Sequence, residues 1–160
     1  GLRFFTVYGP WGRPDMATMK FTRAILAGEP IDVYGHGEMK RDFTYVGDIA
    51  DSVVALLDRA PEADPAWTPE AGDPASSSAP HRVFNIGNGE PVLLLEFIRT
   101  LESLLGRKAN LVLREMQPGD LVETRSDTEP LARLLGAAPY TPLAVGLSRF
   151  VAWYREYYRV

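Results

Sequence analysis

The chain has 160 residues, 46% hydrophobic and 24% charged, with a formal net charge of −4 and no cysteine. That balance suits one globular domain of ordinary size. It excludes disulfides and thiolate chemistry, makes the cytoplasm the default compartment, and argues against a nucleic-acid partner held by a broad basic field.

Leu2 to Val7 is a short apolar run of β-branched and aromatic residues with no polar face, which predicts a strand covered on both sides in a parallel sheet. Gly9-Pro10 and Gly12-Arg13-Pro14 then break the chain. Asp15 is placed to cap a helix from Met16 to Ala27, with Gly28 as its stop. A buried strand thus ends in a loop carrying Thr6, Tyr8 and Arg13, and in open α/β sheets ligands bind beyond the carboxyl ends of strands. An ordinary β-to-α connection gives the same pattern. Because such a strand needs neighbours on both edges, its position at residue 1 leads to the expectation that the chain is the C-terminal part of something longer.

Pro30 to Tyr34 reads as a strand, Gly35-His36-Gly37 as a turn, and Lys40 to Tyr45 as a second extended piece. Val46-Gly47-Asp48 opens a helix to about Arg59, its stripe supplied by Ile49, Val53, Leu56 and Leu57. Residues 61–80 hold five prolines, several acids and Ser76-Ser77-Ser78, the composition of a flexible surface loop. Arg82 to Ile86 is a strand, Gly87-Asn88-Gly89 a turn, and Pro91 starts an apolar helix that Gly106 closes. Asn110 to Arg114 is a strand, Gln117 to Asp120 a turn, and Thr128 to Leu135 a short helix. Thr141-Pro142 caps a last helix with Leu143, Leu147, Val151 and Tyr154 on one face. No apolar run approaches a membrane span and no signal-peptide pattern opens the chain. His36 and His81 both lie beside Gly or Pro, so no metal site is expected.

Three segments stand together: Arg3 to Pro10; Tyr34 to Ile49, containing Lys40-Arg41-Asp42-Phe43-Thr44-Tyr45-Val46; and Val83 to Pro91. Their order and spacing resemble the C-terminal portion of extended short-chain dehydrogenase/reductases that act on nucleotide sugars. Tyr8-Gly9-Pro10-Trp11-Gly12-Arg13-Pro14-Asp15, with Thr6, is more narrowly similar to the UDP-glucuronate 4-epimerases. The resemblance covers essentially the whole chain. It implies an α/β fold: the C-terminal part of a Rossmann-like enzyme of that class, residues 1–160 forming the small α/β substrate-binding region, without the N-terminal dinucleotide-binding half. It also implies NAD as cofactor, bound mainly by that half, a UDP-sugar as substrate, and a homodimer in the complete enzyme.

Such enzymes carry a glycine-rich dinucleotide loop and a Tyr-x-x-x-Lys catalytic set. No glycine triplet here has either dinucleotide-loop spacing, and none of the seven tyrosines has Lys four residues later. No catalytic residue is therefore assigned, and the chain alone is expected to be inactive. The implied reaction of the complete enzyme interconverts UDP-glucuronate and UDP-galacturonate at C4 through a 4-keto sugar. A UDP-glucuronate decarboxylase, a 4,6-dehydratase and a non-catalytic nucleotide-sugar-binding chain are the alternatives.

By the resemblance, Arg41 contacts the pyrophosphate, for which a guanidinium is suited because it donates paired charge-assisted hydrogen bonds. A solvated Lys40-Arg41-Asp42 run is the plainer alternative. Tyr34 flanks the uracil, or is a core aromatic. Asp120 and Arg125 belong to a late loop that closes over the nucleotide; Arg125 stands where relatives often have Tyr. Thr6 and Arg13 together hold the sugar carboxylate, unless Thr6 only fills a strand end. The backbone around Phe4 and Val7 approaches the nicotinamide. Asn85 is expected to bond within its own turn.

Overall fold

The computed structural model describes residues 1–136 and 140–160. The opening apolar run forms two strands, β1 (Leu2–Phe4) and β2 (Thr6–Tyr8), where one was expected. They part company at Phe5, whose N–H donates to Ile86 O, whereas the Thr6 N–H donates to Asp42 O. An apolar run reports burial but not which neighbour supplies the ladder, so the change of partner was invisible in it. Nor is β1 covered on both sides: Leu2 is 38% and Phe4 50% exposed.

The remaining elements are α1 (Ala17–Ala27), β3 (Pro30–Val33), β4 (Lys40–Arg41), β5 (Phe43–Tyr45), α2 (Val46–Leu56), β6 (Phe84–Ile86), β7 (Val92–Leu93), α3 (Leu94–Leu105), β8 (Asn110–Leu113), α4 (Glu129–Leu135) and α5 (Leu143–Tyr158). β1 pairs with β6, β2 with β5 and β3 with β8, all parallel, and β4 with β7 antiparallel. Each parallel partner lies far along the chain, because parallel strands need crossover connections, here carrying helices.

Helix spacing explains the main core. Leu94, Phe97, Ile98, Leu101 and Leu105 of α3 and Leu147, Phe150, Val151 and Tyr154 of α5 recur at three- and four-residue steps, and all are buried. They close against Ile31, Val33 and Phe43. A second cluster, Ile49, Ile86 and Leu131, joins α2, β6 and α4, with Val7 packed on it. Residues 61–80 bond internally: Asp64 N donates to Ser77 O, Trp67 Nε1 to Asp73 O, and Arg82 pairs with Asp73 at 3.4 Å.

Several caps differ from expectation. Met16, not Asp15, precedes α1, with no side-chain cap, because Asp15 is turned to Arg13 at 3.1 Å. Pro91 to Leu93 lie before α3, since Val92 and Leu93 pair with β4. Thr141 does not cap α5; its N–H and hydroxyl donate to the Asp48 carboxylate at 2.8 and 2.7 Å, tying the entry of α5 to the first turn of α2.

Tyr8 is a core residue, 3% exposed, and burial pushes its hydroxyl pKa up, with Asp48 and Tyr45 adding to the shift. Its ring and hydroxyl fill the space beside Gly146, where a Cβ would collide with both and meet Tyr45 at 3.0 Å. Gly-to-Ala in a helix interior ordinarily gains about 0.5–1 kcal/mol. Gly146→Ala is expected to reverse that sign and cost about 1–3 kcal/mol through overpacking, read as a lower urea midpoint at unchanged slope.

Candidate functional site

A cleft of about 580 Å³ opens where β2, α1, β3 and β4 meet. Thr6 stands on its wall at the start of β2, Tyr34 just past the end of β3, and Arg41 on β4, with Phe43 and Leu94 beneath. Asp15, Met16 and Ala17 bring the uncapped start of α1 to the same wall, and no acid lies in that helix's first turn. Lys20 and Arg23 of α1 line it too, as do Glu29 and Asp32. An open helix N-terminus and a guanidinium sharing one cleft suit an anion.

Arg41 is 18% and Asp120 33% exposed at the side chain, and they pair at 2.7 Å. The same Asp120 oxygen accepts from the Leu121 N–H at 2.9 Å, and Arg41 also donates to Lys40 O at 2.9 Å. Two residues singled out separately, 79 positions apart, are thus one unit. Asp120 reaches Arg41 because residues 122–124 run beside β4: Lys40 N donates to Val122 O and Thr124 N to Lys40 O. The solvated-run alternative fails for Arg41, which is held on its strand and largely covered.

The other candidates lie elsewhere. Arg13 is 73% exposed and bonds Asp15 and the Met16 sulfur at 3.1 and 3.2 Å; it does not line the cleft that Thr6 lines, although Asp15 and Met16 do. Arg125 donates through Nε to Gly89 O at 3.0 Å and borders a different hollow with Asp127, Thr128 and Glu129. Phe4 is half exposed on β1, while the Val7 side chain packs into the second cluster. Asn85 reaches Asp127 O at 3.5 Å and not its own turn. His36, at φ 51°, lies in a turn and pairs with Glu115. A larger cleft of about 770 Å³, between α2, the 61–82 segment and α4, contains none of the candidates. Two of the arginines on its wall are engaged by Leu134 O and Glu129.

Sequence reasoning missed Asp42. Grouped with Lys40 and Arg41 as solvated charge, it is fully buried and bonds the Gly87-Asn88-Gly89 turn and Ser126. The available signal was the turn itself, whose backbone N–H groups need an acceptor once buried.

Parallel strand pairs joined by helical crossovers make this an α/β protein, and its likeness to solved enzymes places it in the Rossmann-like, extended short-chain dehydrogenase/reductase class. The chain belongs to the NAD dependent epimerase/dehydratase family, whose pattern matches residues 1–87. It is 48% identical over 158 residues to a probable UDP-glucuronate 4-epimerase of Rhizobium meliloti (strain 1021), covering 98% of this chain and 46% of that one. It is 48% identical over 159 residues to Protein CapI of Staphylococcus aureus, covering 99% and 48%. The crystal structure of UDP-glucuronic acid 4-epimerase from Bacillus cereus, in complex with UDP-glucuronic acid and NAD, superposes with a TM-score of 0.79 at 31% identity, over 98% of this chain and 45% of that one. The chain spans about half the length of the curated relatives it matches.

The family is NAD dependent, yet the glycines after β2 and β6 do not form a dinucleotide-binding loop. A Cβ on Gly9, after β2, would lie 2.5 Å from Val46 Cγ1, and one on Gly87, after β6, would strike Ser126. Those close approaches are filled by the chain's own side chains, so the described residues do not fit a pyrophosphate cradle of the usual strand–glycine–helix kind.

Proposed function

We propose that this chain is the substrate-side portion of an NAD-dependent enzyme that interconverts UDP-glucuronate and UDP-galacturonate at C4. The observation that carries the reading is the convergence of Thr6, Tyr34 and Arg41 on one cleft, with Asp120 seated on Arg41. Relatives described as UDP-glucuronate 4-epimerases support the choice of sugar. In this reading the dinucleotide is held mainly by an N-terminal half, residues 1–160 act as one substrate-binding unit, and the complete enzyme is a cytoplasmic homodimer. Arg41 donates to the diphosphate, the open start of α1 adds backbone N–H groups, and Tyr34 lies against the base. Arg125 closes from the late loop, while the backbone of Phe4 and Val7 borders the nicotinamide.

Thr6 and Arg13 orient the sugar carboxylate. Arg13 must then leave Asp15, an exposed pair worth only about 0–1 kcal/mol and so readily exchanged. Oxidation of glucuronate at C4 makes a β-keto acid, which loses CO2 when its carboxylate bond lines up with the carbonyl π system. Misplacing a reacting group changes rates by about 10²-fold, so holding the carboxylate out of line is a sufficient lever. Arg13→Ala is expected to slow epimerisation and raise the fraction of decarboxylated pentose, with Thr6→Ala milder. An equal loss on UDP-galactose, with no extra pentose, would remove Arg13 from the carboxylate.

The test of the whole reading is NMR assignment of the sugar formed by the full-length protein from UDP-glucuronate with NAD. UDP-galacturonate is the expected product. A pentose would indicate a decarboxylase, and a deoxy sugar formed from an uncharged nucleotide hexose a dehydratase, which the family description also admits. UDP binding without turnover would leave a nucleotide-sugar-binding chain.

A further inference from the structure

Asp42 is 0% exposed, and its carboxylate accepts hydrogen bonds from four residues. Oδ1 accepts from the Thr44 hydroxyl at 3.2 Å and the Asn88 N–H at 2.8 Å. Oδ2 accepts from the Gly89 N–H at 3.0 Å, the Ser126 N–H at 2.8 Å and the Ser126 hydroxyl. The Asn88 N–H also reaches Thr44 Oγ1 at 3.0 Å. These donors come from three places: β5, the turn after β6, and the late segment at 126. A carboxylate is the one side chain that meets such a set without offering a donor of its own.

The late segment is the informative one. It lies beside β4 through Val122 O and Thr124 N, and Thr124 Oγ1 accepts from the Asp42 N–H at 3.3 Å. Ser126, at its far end, is fastened to Asp42; Asp120, at its near end, sits on Arg41. Arg41 ends β4 and Asp42 follows it directly, so two consecutive residues grip both ends of the same loop.

We propose that Asp42 is a positioning residue for the diphosphate subsite: by fastening Ser126 and the Gly87–Gly89 turn it sets the late segment, and through Asp120 the direction of the Arg41 guanidinium. It rests on the reading of the cleft as a nucleotide-sugar site. Asp42 itself touches no ligand. Asp42→Asn keeps the shape but turns an NH2 group toward N–H and O–H donors, so the late segment loses its anchor on one side.

The test is a double-mutant cycle on the full-length protein, with UDP and uridine titrated by calorimetry into wild type, Asp42→Asn, Arg41→Ala and the double variant. Asp42→Asn is expected to weaken UDP about tenfold, lower the UDP-to-uridine affinity ratio, and cost nothing further once Arg41 is alanine. A purely structural Asp42 lowers stability but leaves that ratio unchanged, or lowers UDP affinity equally in both backgrounds; either result overturns the proposal. If Asp42→Asn does not fold, Ser126→Ala, which deletes a single hydroxyl donor, carries the same cycle with an expected loss of about threefold. Additivity of Ser126→Ala with Arg41→Ala would then overturn it. Failure of wild type to bind UDP would instead sink the reading of the cleft, and Asp42's role with it.

Discussion

Phe97→Ala is expected to cost about 3–5 kcal/mol, a large part of the roughly 5–15 kcal/mol that holds a domain folded. Phe97 is 0% exposed and stacks on Phe43 with centroids 4.2 Å apart and planes at 20°; Tyr8 meets it edge-on at 6.3 Å. Truncation removes the ring's burial, its aromatic contacts and the support of both neighbours, and leaves a cavity between α3, β5 and β2. The consequence reaches the cleft, because Phe43 is part of its floor and follows Arg41 and Asp42 in the chain. The measurement is urea unfolding of the full-length protein. Phe97→Leu, which keeps more of the volume, serves as the milder control. A midpoint for Phe97→Ala within experimental error of wild type would mean that the site collapses around the missing ring, and that the packing at α3 is less specific than its burial suggests.

Arg41→Ala is expected to weaken UDP by about 10- to 100-fold, the range of a single charge-assisted contact worth roughly 1.5–3 kcal/mol. Uridine, which lacks the diphosphate, should be nearly unaffected. The position of Asp120 sharpens the experiment. One Arg41 nitrogen donates to Asp120 at 2.7 Å and the other to Lys40 O, so the guanidinium is oriented before any ligand arrives. Asp120→Asn should therefore loosen Arg41 without removing its charge and give a smaller loss than Arg41→Ala. Equal UDP affinity for wild type and Arg41→Ala by calorimetry would make Arg41 a partner of Asp120 and nothing more. The diphosphate would then have to rest on the α1 end and Lys20.

The two experiments differ in what the sequence could say about them. The helix carrying Phe97 was legible as a strongly apolar run closed by Gly106, and the structure shows which of its residues are buried. Arg41 was legible only through the resemblance of its segment to known enzymes, since charge alone does not separate a site from a wetted surface. Arg125 came by the same route, and the structure places it on Gly89 O beside a different hollow. Arg13 was paired with Thr6 in sequence, but a Gly/Pro loop does not specify side-chain direction, and Asp15 claims it first.

By itself the sequence determined the alternation of strands and helices, the helix stops at Gly28 and Gly106, the absence of a glycine-rich dinucleotide loop, and the three-segment pattern of the family. Those features are local: periodicity, glycine at a left-handed position, and spacing within a motif all act over a few residues. Only the tertiary structure decided that the opening apolar run serves two different partner strands, that Tyr8 is core, and that Asp120 and Arg41 are one ion pair. It alone decided that Asp42 is buried and ties three segments together. Each of these depends on residues about 35 to 140 positions apart, brought together by the tertiary fold, and no local pattern encodes which distant donor will face which acceptor.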